Sequence, residues 1–273
     1  MEVIILGSGS PLPDPERAGP ATLVRAAGHD FLFDCGRGVL MRAAAVPTSP
    51  ASLTAIFLTH LHSDHTTDFN DVVTMRWAIS PQPNPMTVFG PVGTKSFVDT
   101  TLKALETDIQ YRLAHHDTLN WRPEIMVQEV AQGIVFDNGK VRIVASPTDH
   151  RLVHPSLGFR VEAEGRSIVI AGDTVPCDGL DKLCEDADML VHSVVRKSLV
   201  EAVPAKRFRD ILDYHSNTED AGRTASRARI GTLVLNHCVP APRPGTEEEW
   251  IAEAAAHFSG EILVAHDLLR IIV

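Results

Sequence analysis

A chain of 273 residues with 44% apolar side chains can bury a large core, and it reads as one compact domain spanning residues 1–273. No apolar run approaches the roughly 20 residues that cross a bilayer, and the acidic start is unlike a signal peptide, so no membrane is expected. The formal net charge of −10 counts against a phosphate-backbone partner, because such binding depends on Lys and Arg neutralising phosphates.

In chain order, residues 21–25 and 31–34 predict a hairpin around Ala27-Gly28-His29-Asp30, and a helix is expected over 38–45. The apolar run Ala55-Ile56-Phe57-Leu58 then leads into Thr59-His60-Leu61-His62-Ser63-Asp64-His65. Three imidazoles and a carboxylate in six residues are hard to explain as packed core. On a strand, positions two apart share a face, so His60 and His62 are expected to grip one ion together. Asp64 and His65 follow where the strand turns into a loop or helix start, offset far enough to reach a second ion. That spacing predicts a two-metal site.

Helices are expected next over 69–78 and 93–107. Three later apolar runs each end in a ligand type: 141–145 leads to Thr148-Asp149-His150, 167–172 to Asp173, and 232–236 to His237. A hairpin pairs 158–162 with 167–171 around Glu164-Gly165, and further helices are expected over 179–185, 218–228 and 246–257. The Pro-rich stretches 11–15, 81–85 and 240–244 read as rigid loops, two of them able to form a rim. Cys35, Cys177, Cys184 and Cys238 show no Cys-x-x-Cys pairing, which fits reduced thiols and a cytoplasmic location. Cys238, although beside His237, reads as a small packed residue.

His60-x-His62-x-Asp64-His65, then His150, Asp173 in Gly-Asp-Thr, and His237 resemble, in order, the ligand set of the metallo-β-lactamase superfamily. The likeness is closer to the ribonuclease Z-like branch and its relatives that act as arylsulfatases or phosphodiesterases. It is carried by Leu6-Gly7-Ser8-Gly9-Ser10-Pro11, Phe33-Asp34-Cys35-Gly36 and His215-Ser216-Asn217. The resemblance implies an α+β fold, a four-layer αββα sandwich. It also implies that His60, His62 and His150 hold one divalent ion, that Asp64, His65 and His237 hold the other, and that Asp173 bridges them. Zinc is expected, while manganese or iron also suit His and Asp ligands. Two such ions about 3.5–4 Å apart share a water and lower its pKa, which provides hydroxide to cleave an ester-type bond. Close relatives often pair as homodimers, so a dimer is expected.

Asp64 and His215 are the catalytic candidates, His215 as proton donor to the leaving group. Asp34 matches the family residue that accepts the ring N–H of a metal-bound His. Asp68 stands where the family has Gly; it either hydrogen-bonds a ligand imidazole or favours the start of the helix at Phe69.

Departures from the ribonuclease Z pattern bear on the substrate. His192-Ser193-Val194 replaces His-Glu-Ala, so the carboxylate that would pair with His215 is missing. Only 23 positions separate His150 from Asp173, with no room for the long arm that grips transfer RNA. The expected substrate is therefore a small phosphodiester, aryl sulfate, carboxylic ester or lactone, with nucleic acid not expected. An RNA 3′-end nuclease and a non-catalytic binding protein are the alternatives. Arg196, Lys197, Arg112 and Arg151 are candidate cations beside the metals, and Trp77, Phe89, Phe159 and Trp121 candidates for an apolar pocket. His115-His116-Asp117 and His154 are expected in surface loops.

Overall fold

The computed structural model describes residues 1–273. Two seven-stranded sheets lie face to face. The first sheet contains β1 (Glu2–Gly7), β2 (Ala21–Ala26), β3 (His29–Phe33), β4 (Leu53–Phe57), β5 (Met86–Gly90) and β6 (Ile125–Glu129). The second contains β7 (Gly133–Asp137), β8 (Val141–His150), β9 (Val153–Ala163), β10 (Arg166–Ile170), β11 (Met189–Val195), β12 (Thr232–Val239) and β13 (Glu261–Val264). The last strand, β14 (Leu269–Ile272), returns to the first sheet beside β1. The orders are β14-β1-β2-β3-β4-β5-β6 and β13-β12-β11-β10-β9-β8-β7.

Each sheet is antiparallel over one half and parallel over the other: β3 to β6 run parallel, as do β10 to β13. The alternating apolar residues of both inner faces, among them Phe31, Phe33, Phe57, Phe89, Val141, Ile143, Phe159 and Ile168, meet in one core cluster. Phe57 is stacked between Phe33 and Phe89, with ring centroids 5.0 and 4.7 Å away, and meets Phe159 of the opposite sheet edge-on at 5.4 Å.

There are ten α-helices, of which α2 carries part of the site: α1 (Val39–Ala45), α2 (Ser63–Thr66), α3 (Phe69–Ile79), α4 (Thr94–Ala104), α5 (Glu106–His115), α6 (Asp178–Cys184), α7 (Lys197–Glu201), α8 (Lys206–Arg209), α9 (Thr218–Arg227) and α10 (Glu247–Ala255). Val39, Phe69, Val72 and Val98 of α1, α3 and α4 pack on the outer face of the first sheet. Leu180, Ala221, Ala225 and Trp250 of α6, α9 and α10 pack on that of the second. The result is the expected αββα sandwich. No helix is long and apolar enough to cross a membrane.

The expected helix over 93–107 is two helices, broken at Leu105, the second running on to His115, so His115 closes a helix instead of lying in a loop. The expected strand through His60 and His62 also differs. β4 ends at Phe57, and both imidazoles lie beyond it, in the segment leading to α2. Thr59 still ties that segment to the opposite sheet, its carbonyl accepting the Leu157 N–H at 2.8 Å.

Candidate metal centre

The parallel halves of both sheets deliver their strand ends to one place. Asp34 follows β3, the Thr59 to His65 segment follows β4, Asp173 follows β10, and His237 lies near the end of β12. His150 closes β8 alongside them. Close approach there depends on glycine: a Cβ on Gly36 would fall 2.7 Å from the Asp64 carbonyl oxygen and 2.3 Å from the backbone of Gly19. Asp34 and His237 both adopt the left-handed backbone conformation, φ 61° and 47°, which costs a non-glycine residue roughly 1–2 kcal/mol. The surrounding hydrogen bonds hold them there.

Two groups of ligand atoms result, His60, His62, His150 and Asp173 in one, Asp64, His65 and His237 in the other. Asp173 Oδ2 lies centrally, 3.9 Å from His60 Nε2, 3.9 Å from His150 Nε2, 3.4 Å from His65 Nε2, 3.7 Å from His237 Nε2 and 3.9 Å from His215 Nδ1. Asp64 Oδ2 is 3.1 Å from His237 Nε2 and 3.6 Å from His65 Nε2.

The backs of the rings are anchored. His150 Nδ1–H donates to the Tyr214 carbonyl at 2.9 Å, and His65 Nδ1–H to Asp34 Oδ2 at 2.9 Å. Each anchored ring, once its second proton is displaced, turns a lone pair inward. His65 Nε2 and Asp173 Oδ1 are buried with no hydrogen-bond partner. Converging acceptors without donors are costly to bury, and a divalent cation is the species that satisfies them. The donor set fits the metals that the resemblance implies.

The rings respond in opposite directions to their surroundings. Burial, reinforced by the neighbouring His65, pushes the His60 imidazole well below its ordinary range. Burial acts the same way on His65, but Asp173 and Asp34 override it and hold that ring well above. Burial works to raise the Asp173 carboxyl, yet His237, His65 and His215 hold it well below the usual carboxylate range.

His215 is brought to the centre, its ring 4.9 Å from that of His150, and burial pushes it down to about 4. The segment carrying it is sewn in place: Ser216 N–H and Oγ–H both donate to the Thr174 carbonyl at 2.8 Å, and Val195 N–H to the Ser216 carbonyl at 2.9 Å. Asn217 then caps α9 in a reciprocal box with Asp220. Asn217→Ala is expected to cost about 1 kcal/mol of stability, checked by urea denaturation. No carboxylate faces His215 from position 193; Ser193 Oγ is buried and unpartnered.

Asp34 takes its expected place behind His65. Asp68 does not touch a ligand imidazole, nor does its side chain cap its own helix; Oδ2 accepts the Gly38 N–H at 2.5 Å, at the start of α1. The proposed apolar pocket does not form: Phe89 and Phe159 lie in the core between the sheets, Trp77 and Trp121 in a separate cluster with Ile109 and Leu119. Arg196 is engaged by Glu249 and Glu253, and Arg112 by Asp108 within α5. Cys238 is buried, with its thiol toward the Leu235 carbonyl. The spacing of the motif assigned no role to Thr59, which is fully buried between Asp34 and His60. Its only signal in the sequence is its place immediately before the first imidazole.

A family model described as Beta-lactamase superfamily domain matches residues 29–238. The chain is 53% identical over 273 residues to Ribonuclease Z of Mycobacterium bovis (strain BCG / Pasteur 1173P2), covering 99% of this chain and 98% of that protein. Ribonuclease Z of Mycobacterium tuberculosis (strain ATCC 25618 / H37Rv) is 52% identical, with 99% and 97% covered. Among solved structures, the short form of human tRNase Z is 27% identical with a TM-score of 0.74, covering 100% of this chain and 99% of that one. The metallo-beta-lactamase fold protein YhfI from Bacillus subtilis, 20% identical with a TM-score of 0.72 over 99% and 98%, shares the fold.

These relatives overturn the expectation of a small-molecule substrate with no nucleic-acid partner. Two physical arguments had supported it. The net charge of −10 is a sum over the whole chain and says nothing about the charges beside one site. The short span from His150 to Asp173 is no obstacle either, since a protein named Ribonuclease Z has only 2% of its length outside the match and hence no long additional arm.

Proposed function

Because this chain belongs to the metallo-β-lactamase superfamily, in its ribonuclease Z-like branch, and is a metal-dependent hydrolase of ester bonds, we propose that it cleaves a phosphodiester bond of RNA near a 3′ end, with precursor transfer RNA the first substrate to test. What supports this reading above all is the 53% identity to a protein named Ribonuclease Z along the whole of both chains.

In this reading His60, His62 and His150 hold one divalent ion, Asp64, His65 and His237 the other, and Asp173 serves both, zinc being the metal suited to this mixture of imidazole and carboxylate. Bound there, divalent cations supply Lewis acidity, activating water at neutral pH and withdrawing charge from a phosphoryl oxygen. Asp64 and Asp173 place full negative charge beside the cations and orient the attacking water by accepting its hydrogen bond. The Tyr214 carbonyl and Asp34 hold His150 and His65 in the tautomer with Nε2 free. His215, its Nδ1 3.9 Å from Asp173 Oδ2 and its ring kept neutral by burial, is placed to donate a hydrogen bond from its ring N–H to the leaving oxygen.

The test is incubation of the zinc-loaded protein with a 5′-labelled precursor transfer RNA carrying a 3′ extension. One shortened product is expected, lost on adding EDTA and absent with His60→Ala. Intact RNA in the presence of protein carrying two zinc ions per chain would overturn the proposal.

A further inference from the structure

We infer that Thr59 is a positioning residue for the metal centre: its hydroxyl relays the Asp34 carboxylate to His60, so that one carboxylate orients an imidazole in each half of the site. The inference rests on the ligand assignment proposed above. Asp34 Oδ1 accepts the Thr59 N–H at 2.8 Å, while Oδ2 accepts both the Thr59 hydroxyl at 2.9 Å and His65 Nδ1–H at 2.9 Å. A carboxylate only accepts, so the single hydroxyl proton of Thr59 is committed to Asp34. The hydroxyl oxygen keeps its lone pairs, and His60 Nδ1 lies 3.0 Å from it. That contact is a hydrogen bond only if His60 carries its proton on Nδ1. Nε2 is then the free nitrogen, facing Asp173 Oδ2 at 3.9 Å and His62 Nδ1 at 3.0 Å.

The site is also tightly packed around this side chain. Gly172, immediately before Asp173, has φ +65°, and a Cβ there would fall 2.9 Å from Thr59 Cβ and 3.1 Å from its Cγ2 and Oγ1. The Thr59 side chain is thus wedged between Asp34, His60 and the backbone that delivers Asp173, with no solvent exposure. Val keeps this shape and loses the relay. Ser keeps the relay and loses only the methyl contact.

The two halves should therefore respond unequally. In Thr59→Val, Asp34 still holds His65, while His60 loses its only partner on the Nδ1 side. The ion held by His60, His62 and His150 should weaken roughly 10–100-fold, the usual effect of removing an outer hydrogen-bond partner, and the other should change little. Asp34→Asn should weaken both.

The experiment begins on the metal-free, 15N-labelled protein, where long-range 1H–15N correlations report which ring nitrogen carries hydrogen. His60 is expected as the Nδ1–H tautomer; Thr59→Val should lose that preference, and Thr59→Ser should keep it. A wild-type His60 protonated on Nε2 overturns the inference without recourse to any variant. Zinc titration against a competing chelator follows, with one binding step weakened in Thr59→Val and restored in Thr59→Ser. Equal weakening of both steps overturns the inference. Absence of zinc binding by the wild type would defeat the ligand assignment instead, and the tautomer result would still stand on its own.

Discussion

Asp173→Asn is expected to lower RNA cleavage by about 1000-fold or more. One oxygen of this side chain lies 3.4–3.9 Å from five imidazole nitrogens, so it is the single negative point shared by both groups of ligands. The asparagine amide removes the charge and, in one of its two orientations, points N–H donors at nitrogens that must keep lone pairs free. Metal-assisted charge stabilisation is worth several kcal/mol, and at 1.36 kcal/mol per tenfold a loss of about 4 kcal/mol gives the expected factor. Single-turnover cleavage and zinc content should be measured together. A variant within tenfold of wild type, carrying two zinc ions, would remove Asp173 from the centre of the mechanism.

Phe57→Ala is expected to cost about 3–5 kcal/mol of stability, the range for emptying a large aromatic site in a packed core. Phe57 has no solvent exposure and sits in a continuous aromatic stack, flanked by Phe33 and Phe89 in its own sheet and meeting Phe159 of the other. Rings that interlock across two sheets cannot collapse into the vacancy without moving a sheet. The damage also reaches the site, because the Phe57 carbonyl accepts the Asp34 N–H at 2.8 Å. Urea denaturation of the metal-free protein measures the loss. Ile79→Ala, at a position 48% exposed, should stay within about 0.5 kcal/mol and serves as the control.

The candidate ligands are legible in the sequence because each carries its chemistry in its residue type and follows an apolar run. His60, His62, Asp64, His65, His150, Asp173 and His237 all arrive within one small volume. Their local setting was less legible. Alternation by two looks the same in a strand and in the extended chain beyond it, and only ladder partners distinguish them, so His60 and His62 were placed on a strand that ends at Phe57. The break at Leu105 carries neither Gly nor Pro, and nothing local announces it. Asp68 stands at the start of α3, as expected, but its hydrogen-bond partner, Gly38, is 30 residues away and invisible locally. Thr59 escaped for the same reason: what it does depends on Asp34, Gly172 and Leu157, which folding brings to it. The substrate is not legible in a whole-chain charge, because only the charges beside the site meet it.

The pairing of β14 with β1, Glu2 opposite Ile272 through Ile5 opposite Leu269, sets the order in which this protein can be completed. β1 and β14 lie far apart in the chain, and so do Asp64 and His237, whose side chains meet at 3.1 Å. Contacts of such long sequence separation close late and slowly. Assembly of the site is therefore a late step of folding: His60, His62 and His150 can meet before His237, the last member of the other group, joins Asp64 and His65.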